Sequence, residues 1–252
     1  MRRKSAFGML AVSALAILLA STASCADASK SSDAAFGARV RAYLLSHPEV
    51  LQEAIEALQN KQRNEAETNA RKSIGEHRAE LVARKGDPSI GSGPVTVVEF
   101  FDYRCGYCKA AAPRVPGMVA DNKAMRLVFK EFPILSPISE VAARAALAAD
   151  RQGKYMPVHL GFMAEKALDE AAIDRILKDK GVDLERAHAD MKSPEIEKQI
   201  AENKALAREI GVDGTPGFVI GDKMIGGFLE GDIVAAVKAA ADGAATTKGT
   251  GK

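Results

Sequence analysis

Residues 95–109 read Val-Thr-Val-Val-Glu-Phe-Phe-Asp-Tyr-Arg-Cys-Gly-Tyr-Cys-Lys, and the fold follows from this stretch. Val95 to Phe101 is an apolar, β-branched and aromatic run of the kind that forms a buried strand. Cys105-Gly106-Tyr107-Cys108 follows and opens a helical stretch to about Asp121. Two cysteines three apart at a helix start suit reversible dithiol chemistry. The first is expected to be exposed at the helix N-terminus, where free N–H groups and the partial positive charge favour the nucleophilic thiolate. The second is expected one turn in, buried, and close enough to close a disulfide ring. Half of a zinc site would need two further ligands, and His47, His77, His159 and His188 show no paired spacing. A purely structural disulfide would gain little by closing so short a loop. Glu99 lies six residues before Cys105, and strand alternation puts Val97, Glu99 and Phe101 on one side. That position suits either a functional carboxylate beneath the cysteines or an ordinary surface one.

Downstream, Leu127 to Phe132 reads as a second strand. Ser136-Pro137 opens a mostly helical region to Ile210, with breaks at Gly153, Gly181 and Ser193-Pro194. Phe218 to Ile220 and Lys223 to Ile225 form a hairpin across Gly221-Asp222. Gly231 to Ala241 is a last helix, and residues 243–252 form a small-residue flexible tail. The expected order is strand, helix, strand, helical block, two strands, helix.

Upstream, Gly86-Asp87-Pro88 to Gly91-Ser92-Gly93-Pro94 is a turn-rich boundary, and a domain is expected over residues 90–242. Residues 27–85 form a helical arm behind a short polar leader. Ser46 and Glu49 have capping-box spacing, with Pro48 in a first turn. Val40, Tyr43, Leu44, Leu51, Ile55 and Leu58 make an apolar face, while Gln59 to Ser73 is almost wholly polar, a solvated connector or partner-contacting helix. Residues 1–26 have the order of a secretory signal: basic Arg2, Arg3 and Lys4, an uncharged apolar run from Ala6 to Ala20, then small residues. That run is short for the ~20 residues needed to span a bilayer. Cleavage after Ala26 would discard Cys25, and cleavage after Ala23 would keep it. Either way the mature protein is expected outside the reducing cytosol, where disulfide chemistry persists.

Composition narrows the function. The chain has 252 residues, 47% of them apolar and 27% charged, which is globular. The formal charge of +2 includes the three positive charges of the signal, so the mature chain is close to neutral. Nucleic-acid binding needs a concentrated basic surface, and Trp is absent with aromatics at 5%. Three cysteines are too few for a disulfide scaffold.

Phe100-Phe101-Asp102 before Cys105-Gly106-Tyr107-Cys108-Lys109, with Pro113 beyond, resembles the thioredoxin superfamily. Gly214-Thr215-Pro216-Gly217-Phe218 resembles its cis-proline loop. The helical insertion, about residues 136–210, and the stretch Phe129 to Leu135 are similar to bacterial periplasmic DsbA-like proteins. His47-Pro48-Glu49-Val50-Leu51 looks like the extension of the ScsC subgroup, named for suppression of copper sensitivity. The resemblance implies an α/β thioredoxin-like fold with a helical insertion and an N-terminal oligomerisation arm. It implies that Cys105 attacks and Cys108 resolves. Pro216 would be cis and present the Thr215 backbone to a client, beside Gly106 and Tyr107. Glu99 would help move the proton of the buried thiol, with Lys130 as a candidate partner. Phe132 and Pro133 would serve packing and turning. No cofactor is implied beyond the Cys105–Cys108 disulfide itself.

Tyr107 carries no positive charge, unlike the His found there in strongly oxidising relatives, so a less oxidising disulfide is expected. A Gly-Tyr pair with Thr before the cis-proline resembles bacterial disulfide isomerases, which work with several sites on one particle. The leading expectation is an oligomeric periplasmic isomerase or reductase, a trimer by the ScsC resemblance. Its partners would be cysteine-containing clients and a membrane thiol reductase of the DsbD/ScsB type. The alternatives are a monomeric dithiol oxidase and a module sequestering copper(I) through two thiolates.

Overall fold

The computed structural model describes residues 33–249, apart from residues 83 and 85. The signal segment with Cys25, residues 27–32 of the leader and the last three residues of the tail lie outside the described residues, and the end of the leader, residues 33–35, is helical. The chain divides at Asn64/Glu65 into two compact units.

In the first unit, residues 33–46 are helical (α1), and α2, Glu49–Glu76, begins here and runs across the division. Ser46 departs from the capping box expected of it. Its hydroxyl donates back to the carbonyls of Ala42, at 2.9 Å, and Tyr43, at 3.0 Å, and so closes the end of α1. The backbone starts α2 without it, with Leu51 N–H donating to Pro48 O.

The second unit contains α3 (Arg78–Val82), β1 (Ser89–Gly91), β2 (Val95–Phe101), α4 (Gly106–Ala111), α5 (Val115–Asp121) and β3 (Met125–Glu131). The insertion follows as α6 (Pro137–Asp150), α7 (Tyr155–Ala164), α8 (Glu170–Asp179), α9 (Leu184–Asp190) and α10 (Pro194–Ile210). The chain then closes with β4 (Gly217–Ile220), β5 (Lys223–Gly226) and α11 (Glu230–Gly249). The sheet order is β1-β3-β2-β4-β5, with β2 and β3 parallel and the other pairs antiparallel. A parallel pair needs a crossover, and α4 with α5 provides it. The expected single helix to Asp121 is broken in two around Pro113, which has no N–H to give the helix. The short edge strand β1 occupies part of the stretch read as turns. There Gly91 has φ of +78°, and a Cβ on it would lie 2.6 Å from Met125 O. The helix α11 runs to Gly249, into the expected flexible tail, as its Ala and Lys content permits.

The central strand β2 is buried on both faces, and alternation divides the core. Val97, Phe101, Leu127 and Phe129 pack with the insertion helices and with Ile233 and Val237 of α11. Val98, Phe100, Val128 and Phe132 face the other way, against Leu206, Ala207 and Ile210 of α10. Ile74 and Leu81 are fully buried in this second cluster. The compact unit therefore starts earlier than the boundary at residues 85–90 read from the sequence. The polar run hides this, because only Ile74, Leu81 and half-buried Val82 mark the inward side. Ser73 Oγ donates to Glu209 O at 2.5 Å, and Arg71 pairs with Asp222.

Leu81→Ala should cost about 3 kcal/mol of unfolding free energy, since it empties a buried site bounded by three elements. Urea denaturation followed by circular dichroism measures it, and a loss below about 1 kcal/mol would mean that α3 lies outside the cooperative unit.

Candidate active site

The site forms where β2 ends. Cys105 is the N-cap residue of α4, with extended backbone, and its Sγ accepts a hydrogen bond from Cys108 N–H at 3.4 Å. Its thiol donates to the carbonyl of Thr215 at 3.1 Å. The Thr215–Pro216 peptide is cis, as expected, and brings that carbonyl to the sulfur. Both cysteines are free thiols. Cys105 is more enclosed than expected, with 6% of its surface exposed, because the Thr215 loop covers one side. Gly106 and Tyr107 beside it are open, Tyr107 at 78%. Cys108 is 1% exposed, and burial pushes its thiol well up, only partly offset by a backbone hydrogen bond from Asp102.

Glu99 is 3% exposed, which removes the surface-carboxylate reading. Burial raises its pKa to about 8, and its Oε2 finds no hydrogen-bond partner among the described residues. It lies near enough for its charge to push the Cys108 thiol further up. Lys130 is not its partner. In the β2–β3 register Glu99 stands opposite Phe129, so Lys130, the next residue, points through the other face. There its ammonium is fully buried, paired with Asp87 and donating to Glu80 O at 2.8 Å. Burial lowers the Lys130 pKa, with Asp87 opposing. Phe132 packs edge-on against Phe100, as expected of it.

Sequence reading assigned no role to a second polar group on Glu99's face. Glu131 Oε1 accepts from Tyr155 at 2.9 Å and Tyr103 at 3.0 Å, and Tyr103 Oη lies 3.1 Å from His159 Nδ1. Tyr103 has one hydroxyl proton; spent on Glu131, it leaves the oxygen to accept from Nδ1–H of His159. Burial drives Glu131 well above the usual carboxylate range, with the two tyrosine hydroxyls opposing, and it lowers His159 to about 3, so the imidazole is neutral near pH 7. Asp102 is likewise buried and accepts four hydrogen bonds. Lys109 donates to the carbonyls of Phe162, Met163 and Glu165 and so ties α4 to the end of α7. The signal for Glu131 was the same alternation that placed Glu99, since Leu127, Phe129 and Glu131 share a side of β3.

Together these groups can carry thiol exchange. The narrowly exposed Cys105 sulfur accepts attack or attacks, a fully buried thiol waits one turn away, and a carboxyl able to take or hold a proton near neutral pH sits beneath.

Known proteins resemble this chain in sequence and fold. A family model described as DSBA-like thioredoxin domain matches residues 96–235, and one described as Copper resistance protein ScsC N-terminal domain matches residues 33–65. A thioredoxin-like oxidoreductase from Silicibacter pomeroyi is 41% identical; the match covers 66% of this chain and 98% of that one, with a TM-score of 0.64. BcfH of Salmonella enterica Typhimurium is 30% identical, with 87% of this chain and 99% of that one covered and a TM-score of 0.72. A Na(+)/H(+) antiporter NhaA 3 of Salinispora tropica is 32% identical over 130 residues, 50% of this chain. The chain spans 20% of that relative's length.

The raised pKa of Glu99 makes a stability prediction. A carboxyl that titrates at about 8 when folded, and near its ordinary value when unfolded, loses folding free energy as pH rises from about 4.5 to about 8. Glu99→Gln lacks that loss. Urea unfolding at pH 5 and pH 8.5 should show the variant gaining on the wild type by roughly 4 kcal/mol. An unchanged difference between the two pH values would mean that Glu99 is solvated.

Proposed function

The chain belongs to the DsbA-like thioredoxin family, and on that premise we propose that it is a periplasmic protein disulfide isomerase or reductase that works as an oligomer. The observation that carries the chemistry is the pairing of Cys105 Sγ, reached by Cys108 N–H and the Thr215 carbonyl, with a buried Cys108 thiol and Glu99 below it.

Cys105 thiolate attacks one sulfur of a client disulfide. The Cys105–client bond forms, the client S–S bond breaks, and the other client sulfur leaves as a thiolate. Isomerisation follows when another client thiolate attacks the client sulfur of the mixed disulfide and returns Cys105 as a thiolate, with no net redox change. Reduction follows when Cys108 attacks Cys105 Sγ, which oxidises the pair to a disulfide and releases the client as a thiol. Cys108 must first lose its proton, and its burial opposes this. Glu99 can take that proton when ionised. Electrons are carried by the Cys105–Cys108 pair, without a cofactor, and a membrane thiol reductase returns them.

The exposed Tyr107 and Gly106 put no cation between the cysteines, which favours a less oxidising couple than a His would. In the first unit Phe36, Val40, Tyr43, Leu45, Leu51, Ile55 and Leu58 are exposed, while Leu44 is half-buried. Copies of the same arm would cover this apolar set, and closed symmetry is the usual result of such self-contact. The match of residues 33–65 to the ScsC N-terminal domain supports a trimer.

Cys105→Ala should abolish turnover, and Cys108→Ala should accumulate mixed disulfides with clients, because the first intermediate then lacks its intramolecular exit. Light scattering should find the mature chain oligomeric at micromolar concentration. A form lacking residues 27–64, which keeps Ile74 and Leu81, should be a folded monomer that exchanges dithiols but fails to unscramble a multi-disulfide substrate. A monomeric mature chain with efficient oxidation of reduced clients would favour the dithiol oxidase instead.

A further inference from the structure

Asp102 stands three residues before Cys105, where β2 has ended and α4 has not begun, and it is 1% exposed. Its Oδ1 accepts from Arg104 N–H at 2.6 Å and from Ser139 Oγ at 2.8 Å. Its Oδ2 accepts from Ile134 N–H at 2.8 Å and Leu135 N–H at 3.0 Å. The carboxylate therefore joins the turn before the cysteines to the loop after β3 and to the first turn of α6. Its backbone meets both cysteines: Cys105 N–H donates to Asp102 O at 3.1 Å, and the Asp102 backbone hydrogen-bonds to Cys108.

We propose that Asp102 is the positioning residue of the dithiol, whose carboxylate anchors the turn from Asp102 to Cys105 and so sets how readily Cys108 closes on Cys105. This rests on the thiol–disulfide reading above. Four donors converge on two oxygens, and a carboxylate is the one side chain of this length that presents only acceptors. An asparagine of the same shape has one acceptor oxygen and one donating NH₂. With its oxygen toward Ile134 and Leu135, the NH₂ meets Arg104 N–H, donor against donor. Turned round, it meets the other two N–H groups. Ser139 can rotate its hydroxyl to accept, but backbone N–H groups cannot, so Asp102→Asn leaves at least one backbone N–H facing another donor in place of the carboxylate. In the first orientation that donor is Arg104, immediately before Cys105. Closing a disulfide ring depends on where one sulfur stands relative to the other, and small displacements act strongly on such a step.

The test uses the full mature chain and glutathione disulfide as oxidant. Stopped-flow and quenched-flow measurements separate formation of the Cys105–glutathione mixed disulfide from its resolution by Cys108. Asp102→Asn should slow the resolving step by roughly 10-fold or more, and the first step much less. Leu81→Ala, which weakens the fold far from the cysteines, should leave the ratio of the two steps at the wild-type value. Resolution at the wild-type rate in Asp102→Asn, or an equal change of the ratio in Leu81→Ala, overturns the proposal. Should Asp102→Asn fail to fold, Ser139→Ala carries the test: it removes one donor and keeps the carboxylate, with about a two- to threefold slower resolution expected and an unchanged rate counting against Asp102. A wild-type chain that fails to exchange with glutathione disulfide would overturn the oxidoreductase reading itself, a result distinct from a wild-type chain that exchanges and a variant that matches it.

Discussion

The burial of β2 on both faces governs this molecule. A strand with core on either side fixes its register, because a slip by one residue would turn Val98 and Phe100 into the space of Val97 and Phe101. Parallel pairing with β3 then decides which charged residues can meet. Glu99 and Glu131 fall on the side of α6, α7 and α11, and Lys130 falls on the side of α3 and the C-terminal part of α10. The same register delivers Asp102 and the cysteines at the strand's end, where the Thr215 carbonyl closes over them.

The polar groups on the side of α6, α7 and α11 are costly to bury and are neutralised by different means. Burial pushes the Glu131 carboxyl well above its usual range, and the two tyrosine hydroxyls that donate to its Oε1 only partly oppose this. Asp102 is supplied with four donors, enough to hold an anion in place of water. Glu99 has a buried oxygen, Oε2, with no hydrogen-bond partner among the described residues. A buried carboxyl left incompletely satisfied beside a buried thiol is where a proton can be exchanged, since neither charge state is locked by hydrogen bonds.

On the opposite face the same physics serves packing. Lys130 and Asp87 are both buried and paired, and the additional bond to Glu80 O attaches α3 to the sheet. With Ile74 and Leu81 this makes the C-terminal part of α2 and all of α3 members of the thioredoxin unit. The residues matching the ScsC N-terminal domain, 33–65, end where that unit begins.

The amino-acid pattern by itself determined the strand Val95–Phe101, the dithiol with Cys108 buried behind Cys105, the hairpin and the helical block between β3 and β4. These are local signals: a β-branched run, two cysteines one turn apart and glycine turns. The cis peptide before Pro216 was implied by the likeness of its loop to that of the thioredoxin superfamily. Period-two alternation also put Glu99 on the side of Val97 and Phe101. Tertiary structure decided what one-dimensional spacing cannot express. Lys130 was a plausible partner for Glu99 along the chain, yet the parallel register put the sheet between them. Ile74 and Leu81 fall within the arm bounded at residue 85 by the turn-rich stretch, because two buried residues leave little periodic trace of the unit they join. Asp102 carried no local sign of its role, since its donors come from residues 104, 134, 135 and 139, and a carboxylate's partners are set by which loops the fold brings to it.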